Sequence, residues 1–310
     1  MDAAVLHAYG TPRFGAFAEP VADDGAVVVE VGAAAISKFD ITYASGRHYL
    51  KPSVLPCVAG REGVGRLAEG RRVYFDTPVA PYGAMAQRTL VAAGGLIDVP
   101  DSVDDAVAAA LGNSGLAAWL PLEWRARLAP GETVLVLGAT GIVGRLAVQA
   151  AALLGAGRVV AAGRDADALR RAQDQGANAV VNLDADDLPA AFRAAAPGGI
   201  DVIVDYVWGP PVEAALRAAT VGARLVQVGA AAGEEISVPA AAMRGQSLAI
   251  LGHANYHAPH AVRAAAYRRM AAFAGQGHLT VEVERIPLRQ VETAWERQRS
   301  GARQRLVLIP

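Results

Sequence analysis

Between residues 133 and 251 the chain alternates short apolar runs with longer stretches in which apolar positions recur at helical spacing. Val/Leu-rich runs without polar interruption read as parallel strands buried on both faces. They fall at 133–137, 158–162, 179–182, 201–205, 223–228 and 248–251. Helical patterns fill most of the intervals, among them Ala166 to Gln175, so this half predicts a doubly wound parallel sheet whose ligand lies beyond the carboxyl ends of its strands. Before about residue 115 the pattern differs: Ala26–Val31 and Arg72–Phe75 are short segments set among frequent Gly and Pro, which predicts a β-rich unit. The last residues leave the βα alternation, with a helix from about Ala258 to Gly275, a strand Val281–Arg285, a helix through Trp295 and a final strand Leu306–Leu308. The expected organisation is α/β, with a β-rich domain made of 1–117 and 254–310 and a parallel-sheet domain over 118–253.

The strand Thr133–Leu137 breaks into Gly138-Ala139-Thr140-Gly141-Ile142-Val143-Gly144 before a nearly uninterrupted run of helix formers. Gly141 and Gly144 stand where the second and third glycines of a dinucleotide fingerprint belong. The second lets backbone approach a pyrophosphate at a helix N-terminus, and the third lets the helix pack closely on the strand. Ala139 takes the place of the first glycine of the usual form. Residues 138 to 144 are therefore expected to cradle a dinucleotide.

The second strand ends in Gly163-Arg164, where an NAD site normally places an acid on the ribose hydroxyls. An acid there repels a 2′-phosphate, whereas Gly163 leaves room for one and the Arg164 guanidinium binds it with charge-assisted hydrogen bonds. NADPH is expected over NADH. The competing reading makes Asp165 the ribose ligand, although that residue also suits the N-cap of the helix beginning at Ala166. Asp205, Gly229, Ala230 and Asn113 are further expected neighbours of the cofactor, at strand ends and loops.

Composition narrows the picture. The 310 residues carry a formal net charge of −1, which gives no footprint for nucleic acid or an anionic membrane. No apolar run reaches the roughly 20 residues needed to span a bilayer, and the first residues show no basic segment ahead of a long apolar one, so a cytoplasmic protein is expected. The single cysteine, Cys57, excludes an internal disulfide.

Three further segments accompany the glycine motif in order and spacing: Ala35-Ile36-Ser37-Lys38-Phe39-Asp40, Tyr82-Gly83-Ala84-Met85-Ala86-Gln87 and Gly115-Leu116-Ala117-Ala118-Trp119. Together they resemble the medium-chain dehydrogenase/reductase superfamily, in its zinc-free quinone oxidoreductase (zeta-crystallin-like) branch, over essentially the whole chain. The resemblance implies a Rossmann domain joined to a GroES-like domain, with Ser37 among the cofactor contacts. It also implies a homodimer formed by joining Rossmann sheets edge to edge, for which the strand around Ser247–Leu251 offers an apolar edge that must be paired or covered. Three positions depart from the branch: Ser37 replaces an Asn, Ala117 replaces a Thr, and Leu183 stands where a Tyr or His is frequent.

In zinc-dependent relatives of that superfamily a ligand His lies within Gly-His-Glu and a ligand Cys precedes it. Here the corresponding residues are Arg61, within Gly60-Arg61-Glu62, and Ser37. A guanidinium cannot ligate zinc and repels it, so no metal is expected and simple alcohol oxidation loses its Lewis acid. Hydride delivery from NADPH to a quinone or to a conjugated carbonyl remains, with an enoyl or enone reductase of a biosynthetic pathway and a non-catalytic NADPH-binding protein as alternatives. The acceptor is expected near Tyr43, Tyr49 and Asp40, with Tyr49 as the candidate proton donor beside solvent. His253, Asn255 and Tyr256, in the loop after the sixth strand, are candidates for contact with the substrate.

Overall fold

The computed structural model describes residues 1–310 and divides into two units, Met1–Ser114 with Ala264–Pro310, and Gly115–Arg263. The return to the first unit begins at Ala264, inside the helix His260–Gly275, whereas the sequence reading placed it at 254.

The second unit is built on a six-stranded sheet in the order 179–182, 158–163, 133–137, 200–205, 219–227, 249–252, with every adjacent pair parallel. Strand order reverses on either side of Thr133–Leu137, and such a switch point opens the crevice in which α/β sheets bind ligands. Both faces are covered, which is why these strands are apolar at successive positions: Val134 to Leu137 and Val202 to Val204 have no exposed surface. Leu135, Leu137, Val160, Ile203 and Leu225 pack with Phe192, Val212 and Leu216 from the flanking helices.

The first unit holds a seven-stranded sheet and a three-stranded one. In the larger, strand Ala26–Ala35 is paired with Gly63–Arg66, Arg88–Ala92 and, at its end, Arg305–Ile309. Arg305–Ile309 in turn pairs in parallel with Val283–Pro287. That last strand lies two positions beyond the Val281–Arg285 segment expected from its alternating valines. The side chain that enters the core is Ile286, 5% exposed beside Leu308 and Trp295, so burial of Ile286 decides the register over local alternation.

One break in regular structure ties distant parts of this unit together. The helix Asp105–Leu120 is interrupted at Gly112 (φ −48°, ψ −114°), immediately before the N–H of Asn113. The carboxylate of Glu62 accepts that N–H, and also the Tyr74 hydroxyl at 2.9 Å. A Cβ at position 112 would fall 2.5 Å from Tyr74 Cε2 and closer still to Glu62 Oε2, so only glycine fits. Tyr74 stacks on Tyr267, with centroids 4.3 Å apart, and the Tyr267 hydroxyl donates to the Ala108 carbonyl at 2.9 Å.

Glu62 is 3% exposed, and burial pushes its carboxyl up to about 7, against the opposing pull of the buried Arg305 guanidinium. The folded chain thus holds the Glu62 proton more tightly than the unfolded chain. Stability from this group is complete below its ordinary value of 4.5 and is lost as pH rises through about 7. Over that interval the loss is about 3 kcal/mol, at about 1.36 kcal/mol per pKa unit. Glu62→Gln should remove this component. In urea unfolding at pH 5, 6, 7 and 8, the stability of wild type relative to the variant should fall by about 2–3 kcal/mol with rising pH; a pH-independent difference would contradict the assignment.

Candidate functional site: a dinucleotide cradle and an aromatic cluster with one free cation

In the second unit the cradle is backbone. Gly138 lies at φ +85°, a conformation that L side chains rarely adopt, and turns the chain out of the first strand of the sheet. Gly141 is the N-cap of the helix Ile142–Leu153, with no side-chain hydrogen bond closing that end. The leading N–H groups of this helix therefore point toward any anion placed there. A Cβ at Gly144 would lie 2.7 Å from Ala139 Cα and nearer still to the Gly138 carbonyl, so the helix approaches the strand end as only glycine allows. At Gly163 the small side chain serves Thr140: a Cβ there would come within 3.0 Å of Thr140 Oγ1 and closer to its methyl. The space the sequence reading reserved at Gly163 for a phosphate is thus bounded by Thr140.

The neighbouring residues have separated roles. Asp165 caps the helix Ala166–Asp174, accepting the Ala168 N–H at 3.0 Å. Arg164 is exposed and makes no hydrogen bond or ion pair within the protein. Asp205, at the end of Ile200–Asp205, has no exposed surface; it accepts the N–H groups of Val207 at 2.9 Å and Trp208 at 3.0 Å. Burial pushes its carboxyl up to about 6 against those two donors. It shapes a strand-end turn in which Trp208 takes φ +59°, and it presents no surface to a ligand. Gly229 lies against that turn, where a Cβ would meet the Tyr206 carbonyl at 2.8 Å, and Ala230 beyond it is exposed.

His253 and Asn255 come together, with Nε2 and Oδ1 2.9 Å apart, while His253 packs edge-on to Trp124. Burial holds the His253 imidazole below its ordinary pKa, and its Nδ1 is buried without a partner. Tyr256 packs on His257 with centroids at 4.5 Å.

In the first unit the polar candidates are drawn inward. Ser37 and Asp40 form a capping box on the helix Lys38–Ala44: Asp40 Oδ2 accepts the Ser37 N–H at 2.8 Å and its hydroxyl at 2.5 Å, and Ser37 Oγ accepts the Asp40 N–H at 3.1 Å. Asp40 also accepts the Arg61 N–H at 3.2 Å. At 5% and 2% exposed, Ser37 and Asp40 hold the loop in place and offer nothing to a ligand, in contrast to the cofactor and catalytic contacts expected of them. Asn113 also falls in this unit, with its N–H bound to Glu62.

Tyr43 and Tyr49 do belong to one cluster. Phe39 packs on Tyr43 and on His48, with centroids at 6.1 and 5.1 Å, and His48 stacks on Tyr49 at 4.1 Å. The Arg61 guanidinium lies 5.5 Å from the Phe39 centroid and 5.2 Å from that of Tyr43.

A family model described as zinc-binding dehydrogenase matches residues 143–272. Quinone oxidoreductase-like protein 2 of Mus musculus is 30% identical over 237 residues, 73% of this chain and 67% of that protein. The quinone oxidoreductase from Thermus thermophilus, solved also in complex with NADPH, superposes over the full length of both chains with a TM-score of 0.81 at 30% identity. The chain belongs to the medium-chain dehydrogenase/reductase superfamily, among its quinone oxidoreductase-like members. It is also 28% identical over 226 residues to prostaglandin reductase-3 of Bos taurus, 69% of this chain and 58% of that one. It is an oxidoreductase.

The zinc in the family description does not fit this reductase. Ser37 Oγ is bound to Asp40, position 61 carries a cation, and Cys57 is buried among the apolar side chains of the core. No three His, Cys, Asp or Glu side chains converge as a metal site, and that includes the histidines at 253, 257 and 260. Sequence reasoning read Arg61 only as an obstacle to zinc and passed over Glu62. The available signal was the pair itself, two opposite charges inside the otherwise uncharged stretch Val58–Gly65.

Gly141 and Gly144 should separate on mutation. Gly144→Ala forces helix and strand apart and should lower stability by about 2–3 kcal/mol. A Cβ at Gly141 meets only the Gly138 carbonyl, at 3.6 Å, so Gly141→Ala should fold normally while weakening dinucleotide binding. Thermal melting with fluorescence titration of NADPH checks both, and equal melting losses would contradict the assignment.

Proposed function

We propose that this protein is an NADPH-dependent, zinc-independent reductase that passes hydride to a quinone or a conjugated carbonyl. The observation that carries the cofactor choice is the division of labour at the end of strand Arg158–Gly163: Asp165 is engaged as a helix cap, while Arg164 stands exposed and unpaired. A free guanidinium at that point suits a 2′-phosphate, and the adjacent acid, Asp165, is engaged with the helix N-terminus. The NADPH complex of the Thermus thermophilus relative supports the same reading.

Residues 138–144 would hold the pyrophosphate on backbone N–H groups, and Gly229 with Ala230 would border the nicotinamide half. Bound nicotinamide supplies the hydride. The protein's part is to orient the reactants, exclude water and place a donor near the oxygen that gains charge. We assign the acceptor to the aromatic cluster of the first unit, with Tyr49, 72% exposed, as the hydroxyl nearest to solvent exchange. The similarity to prostaglandin reductase-3 favours an enone as the second reading of the acceptor. We also infer a homodimer through the outer strand Ala249–Gly252, where Ile250 is 37% exposed on an unpaired edge.

Arg164→Ala should weaken NADPH by roughly 10- to 100-fold while changing NADH less than about threefold, the range for losing charge-assisted hydrogen bonds to one phosphate. Equal losses would return the ribose to Asp165. Anaerobic NADPH oxidation with an ortho-quinone, a para-quinone, a conjugated enone and a saturated aldehyde tests the activity. Turnover of a quinone or the enone without added metal is expected, and tight NADPH binding without any turnover would instead mark a non-catalytic binding protein. Tyr49→Phe should lower kcat for the preferred acceptor about tenfold at unchanged NADPH affinity; full retention would hand the proton to solvent.

A further inference from the structure

Arg61 is held in place without being neutralised. Its backbone N–H is bound to Asp40 Oδ1, and the next residue, Glu62, is fixed in the core by Tyr74 and Asn113. Its guanidinium carbon lies over Phe39 and Tyr43. Cation–π contact of this kind immobilises a guanidinium and leaves its N–H groups free to donate. The side chain is half-buried and makes no hydrogen bond or ion pair with any acid, although Asp40 binds its backbone N–H and Glu62 is the next residue. Both are already engaged: Asp40 by Ser37 and the Arg61 N–H, Glu62 by Tyr74 and Asn113, with the buried Arg305 guanidinium attracting both from within the core.

A cation so placed has donors to offer an anion from outside. We propose that Arg61 is the carboxylate anchor of the acceptor site, selecting a conjugated carbonyl substrate that carries a carboxylate. The planar guanidinium matches the two oxygens of a carboxylate, and Tyr43, His48 and Tyr49 offer ring surface for the conjugated body next to it. No electron or proton passes through Arg61; it sets which acceptor binds. The inference rests on the reductase reading above and on the placement of the acceptor in this cluster.

The test compares benzylideneacetone with 4-carboxybenzylideneacetone at saturating NADPH, in wild type, Arg61→Met and Arg61→Lys, with calorimetric titration of the carboxylated probe into the NADP+-loaded protein. Wild type should prefer the carboxylated enone. Arg61→Met should raise its KM and its dissociation constant by roughly 10- to 100-fold, as for one lost charge-assisted pair. Its kcat, the KM for the neutral enone and the affinity for NADPH should stay within about threefold. Arg61→Lys, which keeps the charge and loses the fork, should fall between. A preference that persists in Arg61→Met, or a wild type indifferent to the carboxylate, overturns the proposal while neutral-enone turnover leaves the reductase reading standing. A wild type that neither binds nor oxidises NADPH takes down both.

Discussion

The backbone contact between Gly144 and the turn at Gly138 and Ala139 is the constraint on which the second unit depends. It lets the helix Ile142–Leu153 lie directly against the end of the innermost strand, so that the helix N-terminus stands at the switch point of the sheet. The fit is wholly steric: any side chain at 144 collides with main chain, which does not yield as a flexible side chain would. The same closeness places Thr140 against Gly163 and so couples the first and second βα turns. A site that recognises an anion by N–H groups needs this rigidity, because misplacing the helix end weakens every donor at once.

The first unit solves a different problem. It buries Asp40, Glu62, Arg72 and Arg305 around a broken helix and a loop, and each carboxylate is engaged by backbone N–H or hydroxyl groups. Arg72 is fully used, with Asp105 at 2.5 Å and the carbonyls of Pro100 and Val103 at 2.8 and 2.6 Å. Arg305 donates to the Ile36 carbonyl at 2.7 Å, while its Nε has no partner. Buried charge of this kind costs desolvation, and the upward shift of Glu62 to about 7 records that cost. In return the loop bearing Arg61 is held on both sides, with its guanidinium over Phe39 and Tyr43.

The metal-ligand geometry of zinc-dependent relatives has no counterpart here, yet the loop that would carry it is tightly built. Asp40 and Glu62 anchor the chain on both sides of position 61, where the side chain is a cation. The charge at this position is therefore that of a guanidinium, which is fixed and directional in its donors.

Most of the second unit was legible in the chain. Continuous apolar runs identify strands buried on both faces, and the six strands fall within a few residues of their expected bounds because period and burial agree there. The glycine turn and the Asp165 helix cap were legible too, since φ and helix capping are local requirements. The strand Val283–Pro287 was misplaced because its alternation is local while its register is set by Ile286 meeting a distant core. Ser37 and Asp40 looked like site residues because polarity in a loop is visible in sequence; their Ser-x-x-Asp capping spacing was visible as well, whereas the bond from the Arg61 N–H, 21 positions on, was shown only by the fold. The break at Gly112 and the unpaired state of Arg61 were likewise decided by tertiary structure. The first depends on Tyr74 and Glu62, 38 and 50 positions away along the chain, and the second on Phe39, Asp40 and Tyr43, 18 to 22 positions away, contacts that no local pattern encodes.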